Sequence, residues 1–298
     1  MSTLTERLES LGLPPLPDPL AAPIADSHTH LDTVAEMVGL TPEESLEAAA
    51  RVGVARIVQV GCDVEGSRFA EELARTHEGV VAAVAIHPND AARLAADSPA
   101  ALAEAIDEVD RLAGAGPHVR AVGETGIDLY RTRDQEGRRV QREAFAAHIA
   151  IAKAHGLTLA IHDRDGHDDI LDVLDAEGWP DRVIMHCFSG GADLARRCLE
   201  HDAWLSFAGV VTFNSAAPQR EALAVTPHER ILVETDAPFL TPAPRRGKSN
   251  GPYLVAHTAR FVAERLGIDE QECCRMLDAN TSAAYGGGWG AEAGEEER

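Results

Sequence analysis

Eight short apolar runs, each closing on a polar residue or glycine, constrain the fold more than any other feature of the chain. They read PIADSH at 23–28, RIVQVG at 56–61, VVAAVAIH at 80–87 and VRAVGE at 119–124. LTLAIH at 157–162, RVIMHC at 182–187, AWLSFAG at 203–209 and ILVETD at 231–236 complete the set. Apolar runs rich in β-branched residues and bounded by turn signals suit strands covered on both faces, which is the environment of a parallel sheet. Parallel strands require long crossovers, and helical stretches such as PEESLEAAARVG, RFAEELARTH, ALAEAIDEVDRLAG and REAFAAHIAIAKAHG lie between the runs. Several of these end at glycine, the common helix stop. Eight strands with helical returns predict an α/β protein of the (β/α)8 TIM-barrel class, spanning residues 23–286. An open doubly wound sheet is the alternative, but no G-x-G-x-x-G follows an early strand. Poor order is expected for the Pro-rich extension 1–22 and for GGWGAEAGEEER, the acidic tail at 287–298.

Charge and cysteine usage narrow the setting. The 27 Lys and Arg face 49 Asp and Glu, a formal charge of −22. Such a chain repels polyanions on average, which excludes coating of DNA or of an anionic membrane through overall charge. Any contact with nucleic acid has to be local. Five scattered cysteines without a C-x-x-C pair fit neither a disulfide framework nor a zinc ribbon. With no run of 18 apolar residues and no signal-peptide pattern at the start, a cytoplasmic protein without an obligate protein partner is expected.

Catalytic groups of a (β/α)8 barrel sit at the C-terminal ends of its strands. His28 and His30 follow the first strand in D-S-H-T-H, and residues two apart in extended chain point the same way. Asp26 shares that parity one step deeper. Glu124 ends the fourth strand, His162 the fifth, His186 the sixth and Asp236 the eighth. One strand-end histidine among 13 carries little weight, whereas four imidazoles and two carboxylates at the ends of five strands point to a metal site. Six ligands exceed the three of a single open catalytic zinc, so two divalent ions are expected. Glu124, with two oxygens, is the natural bridge.

D-S-H-T-H, V-A-I-H-P, V-G-E-T-G-I-D, I-H-D-R, M-H-C-F-S-G and E-T-D-A-P-F-L-T-P, in this order, resemble the TatD family of metal-dependent deoxyribonucleases in the amidohydrolase-like superfamily. The likeness runs from about residue 24 to about residue 285. It implies one ion held by His28, His30, Glu124 and Asp236, and a second held by Glu124, His162 and His186. It also implies that Arg164 and the R-G-K containing Arg246 and Lys248 face the substrate. Gly251 and Pro252 depart from the family pattern, which often has an acidic residue before the proline.

A water shared by two cations loses a proton near neutral pH, and the same ions neutralise charge on a phosphoryl group, which suits phosphodiester hydrolysis. Asp236 is the candidate to orient that hydroxide or take its proton, and Glu124 shares the catalytic centre. His87, before Pro88, either contacts the scissile phosphate or fixes its own turn. Nine basic residues follow strands four, five and eight: Arg131, Arg133, Arg138, Arg139, Arg142, Arg164, Arg245, Arg246 and Lys248, of which Arg139 and Arg142 read more simply as a solvated face of the helix that begins near Arg138. A local cluster of this kind can hold a few phosphates while the rest of the surface repels a long duplex, so DNA ends or single strands are the expected substrate. The rival reading is ester or amide hydrolysis, as in removal of a D-aminoacyl group from tRNA. The family is associated with magnesium, while an imidazole-rich ligand set favours zinc, manganese or nickel.

Overall fold

The computed structural model describes residues 3–289. Its strands are β1 Ile24–Thr29, β2 Val54–Val60, β3 Val80–Val84, β4 Val119–Asp128, β5 Thr158–Arg164, β6 Val183–Met185, β7 Trp204–Phe207 and β8 Ile231–Val233. They form one sheet in the order β1 to β8, and each of the eight apolar runs supplies one strand. Helices α1 Leu4–Ser10, α2 Leu31–Val38, α3 Pro42–Arg51, α4 Val64–Thr76, α5 Pro88–Asp97 and α6 Pro99–Ala113 come from the first half of the chain. Helices α7 Gln135–His155, α8 His167–Glu177, α9 Ala192–Leu199, α10 Ala217–Val225, α11 Val255–Leu266 and α12 Glu270–Ala284 follow. This is the (β/α)8 barrel class.

Local signals account for the helix boundaries. Thr41 and Glu44 form a reciprocal capping box on α3 with Pro42 as its first residue. Asp134 caps α7 through the Gly137 amide, and Gly156 stops it at φ 64. Among the described residues no helix is long and apolar enough to cross a membrane.

The chain divides into two compact units. The first comprises residues 1–58, 190–196 and 205–282. In it the chain past β8 is tied to β1: the Asp236 amide donates to the His28 carbonyl at 2.9 Å, and the His30 amide donates to the Ala237 carbonyl at 3.1 Å. The stretch ahead of β1 departs from the expected poor order. Leu4, Leu8, Leu13 and Leu20 are buried, Tyr253 donates its hydroxyl to the Pro14 carbonyl at 2.7 Å, and Arg260 holds the carbonyls of Asp18 and Pro19. Four leucines let this Pro-rich segment bury apolar surface, which composition alone does not show. The second unit comprises, of the described residues, 59–189, 197–204 and 283–289. Here β3, β4, β5 and β6 pair in parallel, with Ala121 opposite Thr158 at one end of β4 and Asp128 opposite Arg164 at the other. Of the expected acidic tail, Gly287, Gly288 and Trp289 are described and Trp289 is buried; positions 290–298 lie outside the described residues.

Candidate metal centre

In the first unit, alternation along β1 aims His28 and His30 the same way. Their Nε2 atoms lie 3.3 Å apart, and His30 Nε2 lies 3.4 Å from Asp236 Oδ1. Asp236 holds φ 53, a left-handed backbone that few residues other than Gly, Asn and Asp adopt readily. That turn, fastened by the Asp236 amide to the His28 carbonyl, brings the carboxylate back to His30. Two imidazole nitrogens and a carboxylate oxygen within 3.4 Å steps form an N/N/O set of the kind that divalent metals take. Asp26, one step deeper, has another task. It accepts from the Thr235 amide at 2.9 Å, the Thr235 hydroxyl at 2.5 Å and the His28 amide at 3.3 Å. Burial pushes its carboxyl up to about 8 against the lowering effect of these bonds, so it clamps β1 to the segment after β8.

In the second unit, three imidazoles surround one carboxylate oxygen. Glu124 Oε1 lies 2.5 Å from His162 Nδ1, 3.1 Å from His186 Nε2 and 3.7 Å from His87 Nε2. Ligand atoms of His87, Glu124 and His162 all fall within 4.8 Å of one another, the spread expected of ligands sharing an ion at about 2.0–2.2 Å. Burial would raise the Glu124 carboxyl, but the His186 and His162 imidazoles override it and hold it well below the usual carboxylate range. Burial likewise opposes charge on His162, yet its bonds to Asp128 and Glu124 raise it to about 9. A cation entering this group therefore displaces a proton held between His162 and its carboxylates.

The fourth strand runs four residues past Glu124, where its apolar run closes, and its last residue, Asp128, joins this cluster. Its Oδ2 lies 3.5 Å from His162 Nε2 and accepts from Asn89 Nδ2 at 2.8 Å, while Oδ1 accepts from the Arg131 amide at 2.8 Å. Thr132 in turn donates to Asn89 Oδ1 at 2.9 Å. These contacts hold the Asp128 carboxyl below its ordinary range in spite of burial, and they orient the His162 ring. The available signal was parity, because Asp128 stands four residues beyond Glu124 on the same strand. The two glycines that flank Glu124-Thr125 in V-G-E-T-G fit tight spaces: a Cβ on Gly126 would sit 2.1 Å from the His162 carbonyl oxygen, and one on Gly123 would sit 2.6 Å from Ala160.

The remaining sequence candidates divide into tied and available groups. His87 caps α5, its Nδ1 accepting from the Asn89 amide at 3.2 Å, so the turn-fixing role holds. Arg138 and Arg142 both pair with the buried Asp169, and Arg139 pairs with Glu136 and Glu143, which leaves these three out of the expected phosphate cluster. Arg164 is exposed and lies over the Tyr130 ring at 4.0 Å, with Arg133 at 5.6 Å from the same ring. Arg246 lies over Phe213 at 4.4 Å, and Lys248 is exposed beside it in sequence. Phe188 and Phe207 are core residues.

An eight-stranded parallel barrel with histidine and carboxylate groups at its strand ends defines a metal-dependent hydrolase. The family model described as TatD related DNase matches residues 25–286, and the chain belongs to that family. An uncharacterized metal-dependent hydrolase, TatD, of Mycobacterium tuberculosis is 45% identical over 269 residues, covering 89% of this chain and 99% of that protein. A Citrobacter rodentium protein named 3′-5′ ssDNA/RNA exonuclease TatD is 30% identical over 252 residues, covering 82% of this chain and 91% of its own length. Among solved structures, the Escherichia coli TatD homolog YjjV superposes with a TM-score of 0.78 at 25% identity, covering 88% of this chain and 97% of that one.

Proposed function

We propose that the chain is a divalent-metal-dependent phosphodiesterase that removes nucleotides from single-stranded or frayed DNA ends. The observation that carries this reading is the Glu124 carboxylate ringed by His87, His162 and His186 and oriented through Asp128. His28, His30 and Asp236 are assigned as the other ligand group, with Glu124 in the bridging role that the family resemblance implies. Divalent ions held by these residues would supply a water ionised near neutral pH and neutralise charge on a phosphoryl group. Asp236, whose carboxylate lies 3.4 Å from His30 and is set by a left-handed turn, is assigned to orient a bound water or to accept its proton. His87 accepts a hydrogen bond from the Asn89 amide at Nδ1, so its neutral form carries hydrogen on Nε2, where it can donate to a phosphate oxygen or to the leaving oxygen. Arg164, exposed and braced by Tyr130, offers a guanidinium fork for a neighbouring phosphate.

The name of the Citrobacter relative favours nucleic acid over an aminoacyl ester and points to attack from the 3′ end. The test is single-stranded DNA labelled at its 5′ end, assayed beside D-aminoacyl-tRNA with metal-loaded enzyme. A ladder of progressively shorter labelled products is expected. Deacylation of the tRNA with the DNA left intact would overturn the proposal.

A further inference from the structure

We propose a second ligand site, for a phosphate-bearing anion, at the opposite end of β4–β6 from Glu124, His162 and His186. A cavity of about 340 Å³ opens there, lined by Arg120, His155, Arg182, Tyr285 and several glycines. Its volume falls at the lower end of the range for small-ligand pockets. Arg120 is the second residue of β4, and Arg182 immediately precedes β6, so parallel pairing through β5 sets both at the start of the strands.

The two guanidiniums converge. A methyl group on Gly286 would lie 3.7 Å from Arg182 Nη2 and 3.8 Å from Arg120 Nη1. No Asp or Glu is among the lining residues, and both arginines bond only to neutral oxygens among the described residues. Arg120 Nη2 donates to the Gly288 carbonyl at 3.2 Å, whereas Arg182 serves the Thr158 hydroxyl at 3.2 Å and the Gly156 carbonyl. Arg120 Nε is buried and has no hydrogen-bond partner among the described residues. His155, also on the wall, is engaged by Asp110 at 2.8 Å. Elsewhere among the described residues arginines find acidic partners, as Arg68 and Arg111 do in Glu108. Like charges brought together away from water repel, and burial together with the Arg182 charge disfavours the protonated form of Arg120. An oxyanion in the cavity would accept from both forks and from the unpartnered Nε, removing repulsion and orphaned donor together. Phosphate, with oxygens to spare for several donors, fits this chemistry, either as the free ion or as the terminal group of a mononucleotide.

Isothermal titration of inorganic phosphate, and separately of a deoxynucleoside monophosphate, into chelator-treated protein tests the site with the metal groups kept out of play. Saturable binding is expected for wild type, weakened about tenfold or more by Arg120→Gln or Arg182→Gln, with an intermediate effect from Arg120→Lys. Tighter binding of the monophosphate would identify a nucleotide as the source, and equal affinity would identify the free ion. Arg120→Gln decides the matter should Arg182→Gln fail to fold, since Arg182 braces the ends of α7 and β5. Absence of saturable binding in wild type, or equal affinity in Arg120→Gln, would overturn the proposal. Loss of phosphate binding in Glu124→Gln with Arg120 intact would also overturn it, by placing the anion at the metal groups.

Discussion

Acid should destabilise this protein through one histidine that takes no part in the ligand groups. His148 on α7 is fully buried, donating from Nδ1 to the Ala144 carbonyl at 2.7 Å and accepting at Nε2 from the Ile86 amide at 3.0 Å. Both nitrogens are used by the neutral ring, and a second proton would set N–H against N–H. Burial accordingly lowers its pKa to about 4, partly offset by the bond to Ala144. The unfolded chain titrates near 6.5, so between these values it binds more protons than the folded chain does. Stability is intact above pH 6.5 and falls as pH drops toward 4, by up to about 3 kcal/mol at about 1.4 kcal/mol per pH unit. His148→Gln, which cannot titrate and keeps an oxygen for the Ile86 amide, isolates this contribution. Urea unfolding of both chelated proteins at about pH 7 and about pH 4.5 should show the wild type losing about 2 kcal/mol more than the variant. An equal acid loss in the two proteins would refute the reasoning.

Other expectations follow from the ligand groups. Asp128→Asn should weaken metal binding about 10-fold or more by loosening His162, measured by competition with a chelating dye. Arg164→Ala should raise KM on an oligonucleotide while leaving metal content and KM on an uncharged ester unchanged. Gly126→Ala, whose Cβ would meet the His162 carbonyl oxygen at 2.1 Å, should lower the Tm by several degrees and reduce bound metal together, read by calorimetry and elemental analysis.

The barrel was legible because strand and helix periodicities survive in the sequence, each apolar run supplying one strand although their ends differ by up to four residues. The same runs set His28, His162, His186 and Asp236 at or just past strand ends and parity aligned His28 with His30, whereas Glu124 lies inside β4, which continues to Asp128. What periodicity cannot convey is which partner a polar side chain finds across space. Asp128 meets Asn89, 39 positions earlier in the chain, and Asp26 meets Thr235, 209 positions later. Counting basic residues after strands likewise overstated the phosphate cluster, since Asp169 claims Arg138 and Arg142 from the next helix. The extension before β1 was misjudged for a related reason: proline content marks loss of helix, whereas Leu4, Leu8, Leu13 and Leu20 find buried surface.

If His28, His30, Glu124, His162, His186 and Asp236 hold the ions for the proposed DNA hydrolysis, metal content and nuclease activity fall together, which elemental mass spectrometry coupled to a nuclease assay measures. Wild type purified without added metal, beside Glu124→Gln, should retain about two transition-metal ions per chain, zinc, manganese or nickel rather than magnesium, because imidazole nitrogens suit those ions. The variant should lose metal and cleavage of single-stranded DNA together while keeping its fold. Two ions bound and near-wild-type turnover in Glu124→Gln would contradict the assignment.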